Sequence, residues 1–288
     1  MDELNGKVAV ITGAASGIGR ALAIAFAQEG MRLALADIEV GPLDDTATMV
    51  RDIGAEALVV PTDVSDPTEV EALAERTVGE FGDLHLACNN AGVSGGGLSW
   101  EVDLHTWDWV LGVNLYGVIH GIRSFTPRII ASGGGHIVNT ASMAGLTSPP
   151  GMSPYNVAKH GVVTLSESMA QELSLTHPEV GISVLCPGWV RTRIHEADRN
   201  RPTNPADAVE GPDEALEGMR EMVNALIQGG LDPAAVAETV VHAVKEGRFW
   251  VFTHPDWMPM VADRAERIVA GEPPRLAILP GGPDLGAG

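Results

Sequence analysis

Short apolar runs, bounded by glycine, proline and charged residues, alternate along the chain with longer stretches in which apolar and polar positions mix. The runs predict strands near 7–12, 32–36, 57–61, 84–89, 135–140, 182–186 and 249–253. The mixed stretches predict helices near 17–29, 43–53, 67–81, 106–131, 154–175, 233–247 and 257–269. Such alternation implies an α/β fold with a mostly parallel seven-stranded sheet and helices on both faces. Two stretches break the pattern. Residues 191–231 are long for a connection and read as a lid over a site. Residues 272–288 are rich in Pro and Gly and read as an irregular tail. No composition shift marks a second domain, so residues 1–271 are expected to form one unit.

The first strand runs straight into Thr12-Gly13-Ala14-Ala15-Ser16-Gly17-Ile18-Gly19, and a helix follows. Strand, glycine turn and helix place a pyrophosphate on the helix N-terminus. Gly13 permits the tight turn, while Gly17 and Gly19 let backbone approach cofactor and sheet. The second strand ends at Asp37, eighteen residues after Gly19, near the spacing of an acid that bonds the adenosine ribose hydroxyls. Asp37 would repel a 2′-phosphate, and neither Ser16 in the loop nor Ile38 after it supplies an offsetting cation. The layout therefore predicts a Rossmann-type, doubly wound fold that binds NAD in preference to NADP.

Tyr155 and Lys159 lie four apart on a predicted helix, so their polar ends share a face. A free tyrosine has a pKa near ~10 and is a weak base at neutral pH. A cation about 4 Å away, at an effective dielectric of about 20, supplies roughly the 4 kcal/mol needed to lower it by about three units. Ser142, thirteen residues earlier, offers a hydroxyl to hold a substrate oxygen beside the tyrosine. The chain has two tyrosines, and its lysines are Lys7, Lys159 and Lys245, so the pairing is sparse in this composition.

Together these residues resemble the short-chain dehydrogenase/reductase family, in its compact single-domain branch, from about Gly6 to about Thr253. Further motifs carry the resemblance: Asp63-Val64, Asn89-Asn90-Ala91-Gly92, Asn114, and Pro187-Gly188 followed by Val190 and Thr192. The resemblance implies a catalytic set of Asn114, Ser142, Tyr155 and Lys159. Tyr155 would act as base in alcohol oxidation and acid in carbonyl reduction. Lys159 would lower its pKa and bond the nicotinamide ribose, and Ser142 would orient the substrate oxygen. Asn114 would perturb its helix and help hold a water that links Lys159 to solvent. The implied cofactor set is Gly13, Ser16, Gly17, Ile18, Gly19, Asp37, Ile38, Asp63, Val64, Asn90, Gly92, Pro187, Gly188, Val190 and Thr192, with Tyr155 and Lys159 serving on both sides. Asp63 and Val64 would touch adenine, Asn90 the adenosine-side ribose region and Thr192 the nicotinamide carboxamide. Val93, Ser94, Met143, Ala144, Met152 and Trp189, with the segment 193–230, would wall a substrate site suited to a medium-sized, partly hydrophobic secondary alcohol or ketone. Met and Trp at these places equally suit lid packing or subunit contacts. Arg193, His195 and Arg199 suit either a polar substrate group or a solvated lid.

The implied activity is hydride transfer between NAD(H) and a secondary alcohol or ketone. A nucleotide-binding protein without turnover is disfavoured because Tyr155 and Lys159 are both present. Epimerases, dehydratases and enoyl reductases on this fold are disfavoured by the glycine spacing and the Tyr-to-Lys spacing. The formal charge of −20 argues against a nucleic-acid or anionic-membrane partner. No apolar run is long enough to span a bilayer, and the start lacks a secretory signal. Cys88 and Cys186 fall in predicted buried strands with no metal-ligand spacing nearby, and no metal is expected. These features predict a cytoplasmic protein. Trp250, Phe252 and Trp257 suit a subunit interface or core packing equally, and the resemblance implies a homo-oligomer, dimer or tetramer.

Overall fold

The structure, a computed structural model, describes residues 1–203, 214–276 and Pro280. The strands are β1 (Val8–Thr12), β2 (Arg32–Asp37), β3 (Ala57–Pro61), β4 (Leu86–Asn89), β5 (Gly135–Thr140), β6 (Val180–Cys186) and β7 (Trp250–Phe252). They form one sheet in the order β3-β2-β1-β4-β5-β6-β7, with every neighbouring pair parallel. The helices are α1 (Gly17–Gln28), α2 (Val40–Asp52), α3 (Pro67–Phe81), α4 (Leu104–Leu111), α5 (Gly117–Ala131), α6 (Ala144–Thr147), α7 (Ser153–Thr176), α8 (Glu214–Gln228), α9 (Pro233–Glu246) and α10 (Met258–Ala270). This is the predicted seven-stranded, doubly wound Rossmann-type architecture.

Strand periodicity explains the two cores. On β1, Ala9 and Ile11 face one apolar cluster with Leu22, Phe26 and Val240, while Val8 and Val10 face another with Leu73, Phe125 and Ile129. Both faces are covered, which is why the central strands read as continuous apolar runs. Helix ends follow local chemistry. Asp66 caps α3 by accepting from Thr68 N, Pro67 opens the helix, and Gly82 ends it at φ 85°. Asp232 and Pro233 open α9 in the same way.

Several expected boundaries shift. The single helix expected over 106–131 is α4 and α5 joined by a π-helical turn, Gly112–Tyr116. α2 starts at Val40 rather than 43. β4 and β7 are shorter than expected, and 3₁₀ turns occupy Ile194–Asn200 and Pro255–Trp257. The expected lid, 191–231, falls partly on 204–213, outside the described residues. Of the expected tail, 277–279 and 281–288 lie outside them as well. Trp257 is core: it is buried with Val118, Met143, Val162 and Val184, edge-on to Trp189 at 5.9 Å. Trp250 and Phe252 stack on each other at 5.5 Å, half-buried. Cys88 and Cys186 are buried free thiols, and burial pushes both up, Cys186 to about 12.

Candidate active site

The chain runs outward from β1 through β2 and β3, then restarts at β4 on the other side of β1. A crevice opens beyond the carboxyl ends of the strands at such a reversal. The glycine turn lies there, packed against the segment after β4. A Cβ on Gly13 would come 2.8 Å from Ala91 Cα, and one on Gly19 would come 2.0 Å from Gly13 O. Thr12 Oγ1 accepts from the Asn90 and Ala91 amides at 2.9 and 3.1 Å, and Asn90 Nδ2 donates to Thr12 O at 3.0 Å. Gly17, at φ 52°, lies under Thr192, whose Cγ2 would be 3.0 Å from an added Cβ. Only glycine leaves this cradle open.

Asp37 closes the far end. Its carboxylate accepts from Ala15 N at 3.0 Å and Glu39 N at 2.9 Å. Burial raises its pKa, while the amides of Glu39, Ala15 and Ile38 oppose the shift. Each oxygen keeps a further lone pair for a hydroxyl donor. Asp63 accepts from the Ser65 amide and hydroxyl at 2.9 and 2.7 Å, and Val64 O pairs with His120 Nδ1 at 2.9 Å.

The polar groups of β5, α7 and the turn after β6 meet at the cleft's other end. Lys159 is 3% exposed and donates from Nζ to Thr140 O at 2.8 Å. Burial pulls its ammonium down to about 8. Tyr155 is 9% exposed and hydrogen-bonds Ser142. The Ser142 hydroxyl accepts from Ala144 N at 3.1 Å and lies 3.5 Å from Pro187 O. Burial raises the Tyr155 pKa, and Ser142 pulls against it. This differs from the expectation that Lys159 draws the tyrosine down. The ammonium lies 5.6 Å from the ring centroid and is not among the groups that shift the phenol. Asn114 sits inside the π-turn, wholly buried. Its Oδ1 accepts from Val93 N and its Nδ2 donates to Val93 O, both at 2.8 Å. The helix is perturbed where expected, and both side-chain polar atoms pin Val93.

A cleft of about 230 Å³ brings together Gly13, Ser16, Gly17, Ile18, Asp37, Ile38, Asp63, Val64, Asn90, Gly92, Val93, Tyr155, Lys159, Pro187 and Thr192. Gly19 and Asn114 support it from behind. Gly188 N donates to Thr253 Oγ1 and His254 Nδ1, at 3.3 and 3.2 Å, which ties this turn to the residues after β7. Val190 is buried in the core and bridges to Leu231. Of the expected substrate residues, Ala144 and Met152 pack around Tyr155 with Val93. Ser94 is half-buried beside them. Met143 is buried in the cluster around Trp257, and Trp189 packs there while its Nε1 donates to Pro280 O at 2.9 Å. Of the six expected substrate residues, Val93 alone lines the cleft.

Sequence reasoning missed Trp109 and Val113, from α4 and the π-turn, which line the cleft; Ile194, Ala197, Asn200 and Pro202, inside the expected wall segment 193–230, line it as well. Trp109 reads as ordinary helix core from periodicity. It touches Tyr155's apolar cluster, and the Arg201 guanidinium lies 5.9 Å over its ring. The absence of a cation near Asp37 is also corrected. Arg199, from the lid, lines the same cleft and pairs with Glu39 at 2.7 Å. His195 is not a cleft residue; its Nε2 lies 3.4 Å from Gln228 Nε2. No group of three His, Cys, Asp or Glu among the described residues has metal-binding geometry. No helix among them is long and apolar enough to cross a membrane.

A parallel doubly wound sheet with a glycine-turn cleft and a Ser-Tyr-Lys constellation defines a class of nucleotide-dependent oxidoreductase. The chain belongs to the short-chain dehydrogenase family, whose model matches residues 7–203. It is similar to a short chain dehydrogenase/reductase from Burkholderia phymatum, solved in complex with NAD, with 43% identity and a TM-score of 0.91 over 96% of this chain and 98% of that one. It is 33% identical to the CLA biosynthesis dehydrogenase/reductase of Lactiplantibacillus plantarum over 98% of this chain and 99% of that protein. It is 38% identical to the cyclohexanol dehydrogenase of an Acinetobacter species over 67% of this chain and 76% of that protein.

Proposed function

We propose that this oxidoreductase uses NAD to interconvert a secondary alcohol and its ketone, with Tyr155 as general acid/base. The observation that carries the reading is the meeting of Tyr155 and Lys159 at one end of a cleft whose other end holds the glycine cradle and Asp37, with Ser142 bonded to Tyr155 just outside the cleft lining. The cradle fits a dinucleotide because added Cβ atoms at Gly13 and Gly17 would fill it. Asp37 suits the ribose hydroxyls at the end of β2. The NAD complex of the Burkholderia relative also supports this cofactor.

Bound NAD would supply the acceptor for the hydride that leaves the carbinol carbon; Tyr155, having first lost its own proton to solvent, would take the hydroxyl proton as phenolate, so that the ketone, NADH and one proton result. Ser142 holds the substrate oxygen next to the phenol. In the reverse direction the buried, protonated Tyr155 is the proton donor to the carbonyl. Lys159, at about 8, exchanges a proton near neutral pH on the inner side of the site. Asn114 is a positioning residue that fixes Val93 at the cleft wall.

The walls next to Tyr155 are Val93, Trp109, Val113, Ile194 and Ala197. They suit a medium-sized, partly hydrophobic and cyclic substrate, and the cyclohexanol dehydrogenase relative is consistent with that class. Exposed Leu104, Tyr116 and Val157, on α4, the π-turn and α7, support a homo-oligomer built on those helices. A cytoplasmic site of action completes the proposal.

The test is NADH formation by the purified protein against a panel of cyclic and open-chain secondary alcohols. Turnover that vanishes in Tyr155→Phe while NADH still binds supports the reading. NADH binding with no turnover on any alcohol or ketone favours a nucleotide-binding role. Unchanged turnover in the variant refutes Tyr155 as the acid/base.

A further inference from the structure

The cofactor cleft contains an ion pair that joins residues 160 positions apart. Glu39 follows β2 by two residues, and Arg199 lies in the 3₁₀ turn of the lid. Arg199 Nε and Nη2 meet Glu39 Oε1 and Oε2 at 3.0 and 2.7 Å, a fork-to-fork pair. The remaining nitrogen, Nη1, donates to the carbonyls of Arg193 and Glu196 at 3.1 and 2.9 Å. All three nitrogens of this guanidinium are therefore in use. Both side chains are mostly sheltered, at 25% and 18% exposed, and both line the cleft beside Asp37 and Ile38.

This corner is where a dinucleotide held by Asp37 presents its adenosine ribose. A planar guanidinium beside that ribose is the group best built to take a 2′-phosphate. Here it is committed to a carboxylate. Asp37 and Glu39 set two negative charges against Arg199, and the nearby Arg193 is paired with Glu196 at 2.7 Å, so the corner stays net negative even with arginines in it. Arg199 also feels Glu196 and Asp37, and Glu39 also feels Arg193.

We propose that Glu39 is a second specificity-determining residue: by holding Arg199 it withholds that guanidinium, beside Asp37, from a 2′-phosphate, and so enforces NAD over NADP. The proposal rests on the NAD-binding reading above and adds a residue to it. Asp37 acts by direct repulsion. Glu39 acts through Arg199, so its effect depends on that arginine being present.

The experiment measures dissociation constants for NADH and NADPH, by cofactor fluorescence, on the wild type, Glu39→Gln, Arg199→Gln and the double variant. NADH affinity doubles as the fold control. Glu39→Gln is expected to tighten NADPH by about tenfold or more while NADH changes by less than about threefold. Adding Arg199→Gln to it is expected to return NADPH to near its wild-type affinity. An unmoved NADPH constant in Glu39→Gln overturns the proposal. So does a gain that persists in the double variant, since it would come from charge removal alone. A Glu39→Gln protein that loses NADH as well assigns Glu39 to shaping the cleft and overturns it too. A wild type that binds neither nucleotide brings down the NAD reading itself, an outcome distinct from the others.

Discussion

Lys159 is buried at a cost that its chemistry explains. Its pKa falls from 10.5 to about 8 because burial disfavours the ammonium. The sign follows: with the folded value below the unfolded one, the unfolded chain binds the extra proton between about 8 and 10.5. The penalty is full below about 8 and is relieved as pH rises through that window. Lys159→Met is therefore expected to abolish turnover yet raise stability by about 1–3 kcal/mol at pH 7, less the bond lost to Thr140 O. Urea unfolding at pH 7 and pH 10 checks this, and the gain should shrink at the higher pH. A companion prediction concerns Asn114. Asn114→Ala removes both bonds to Val93, and kcat is expected to drop by about tenfold or more while the NADH dissociation constant holds within a few-fold. Steady-state kinetics beside fluorescence titration separates the two. At this scale the sequence displayed Tyr155, Lys159, Ser142 and the glycines because each has a local signature. Trp109 and Arg199 had none. Trp109 obeys helix periodicity like any core residue, and Arg199 meets Glu39 only through the fold.

Among the elements, the strands were legible because a sheet covered on both faces demands uninterrupted apolar runs. The break between α4 and α5 was not. A π-turn adds one residue to a helix without changing its composition, and apolar positions continue through 106–131. The 3₁₀ form of 194–200, inside the expected lid, escaped notice because such short turns carry no period. The β5–β6 junction has its own titration. His136 is buried, with Nε2 2.8 Å from Ser183 Oγ, and Ser183 donates to Arg248 O at 2.6 Å. Burial pulls His136 down to about 3, so it is neutral in the fold. Above about 6.5 its burial carries no charge penalty; as pH falls from there toward about 3 the unfolded chain binds the extra proton and the penalty grows, to roughly 5 kcal/mol at most. His136→Gln is expected to flatten that dependence, which a series of urea midpoints from pH 7 to pH 4 would register. A Cβ at Gly181 would come 2.4 Å from His136 Nδ1, so Gly181→Ala is expected to destabilise the same junction by about 1–3 kcal/mol.

For the molecule as a whole, 38 acidic residues against 18 basic ones give −20. Self-repulsion at that charge opposes compaction, and salt screens it over about 10 Å at 0.1 M. Raising sodium chloride from about 10 to about 150 mM is expected to lift the thermal midpoint by a few degrees, and a fall would point to the surface ion pairs as the larger effect. The two thiols add something else. Cys88 on β4 and Cys186 on β6 flank β5, and neither is reachable in the closed sheet. An alkylating reagent can mark them only when those strands part, so the rate of modification becomes a clock for opening at the heart of the protein. Equal rates at both positions would mean that the sheet opens as one body. Faster marking of Cys186 would mean that the β7 edge peels away while the nucleotide half stays shut.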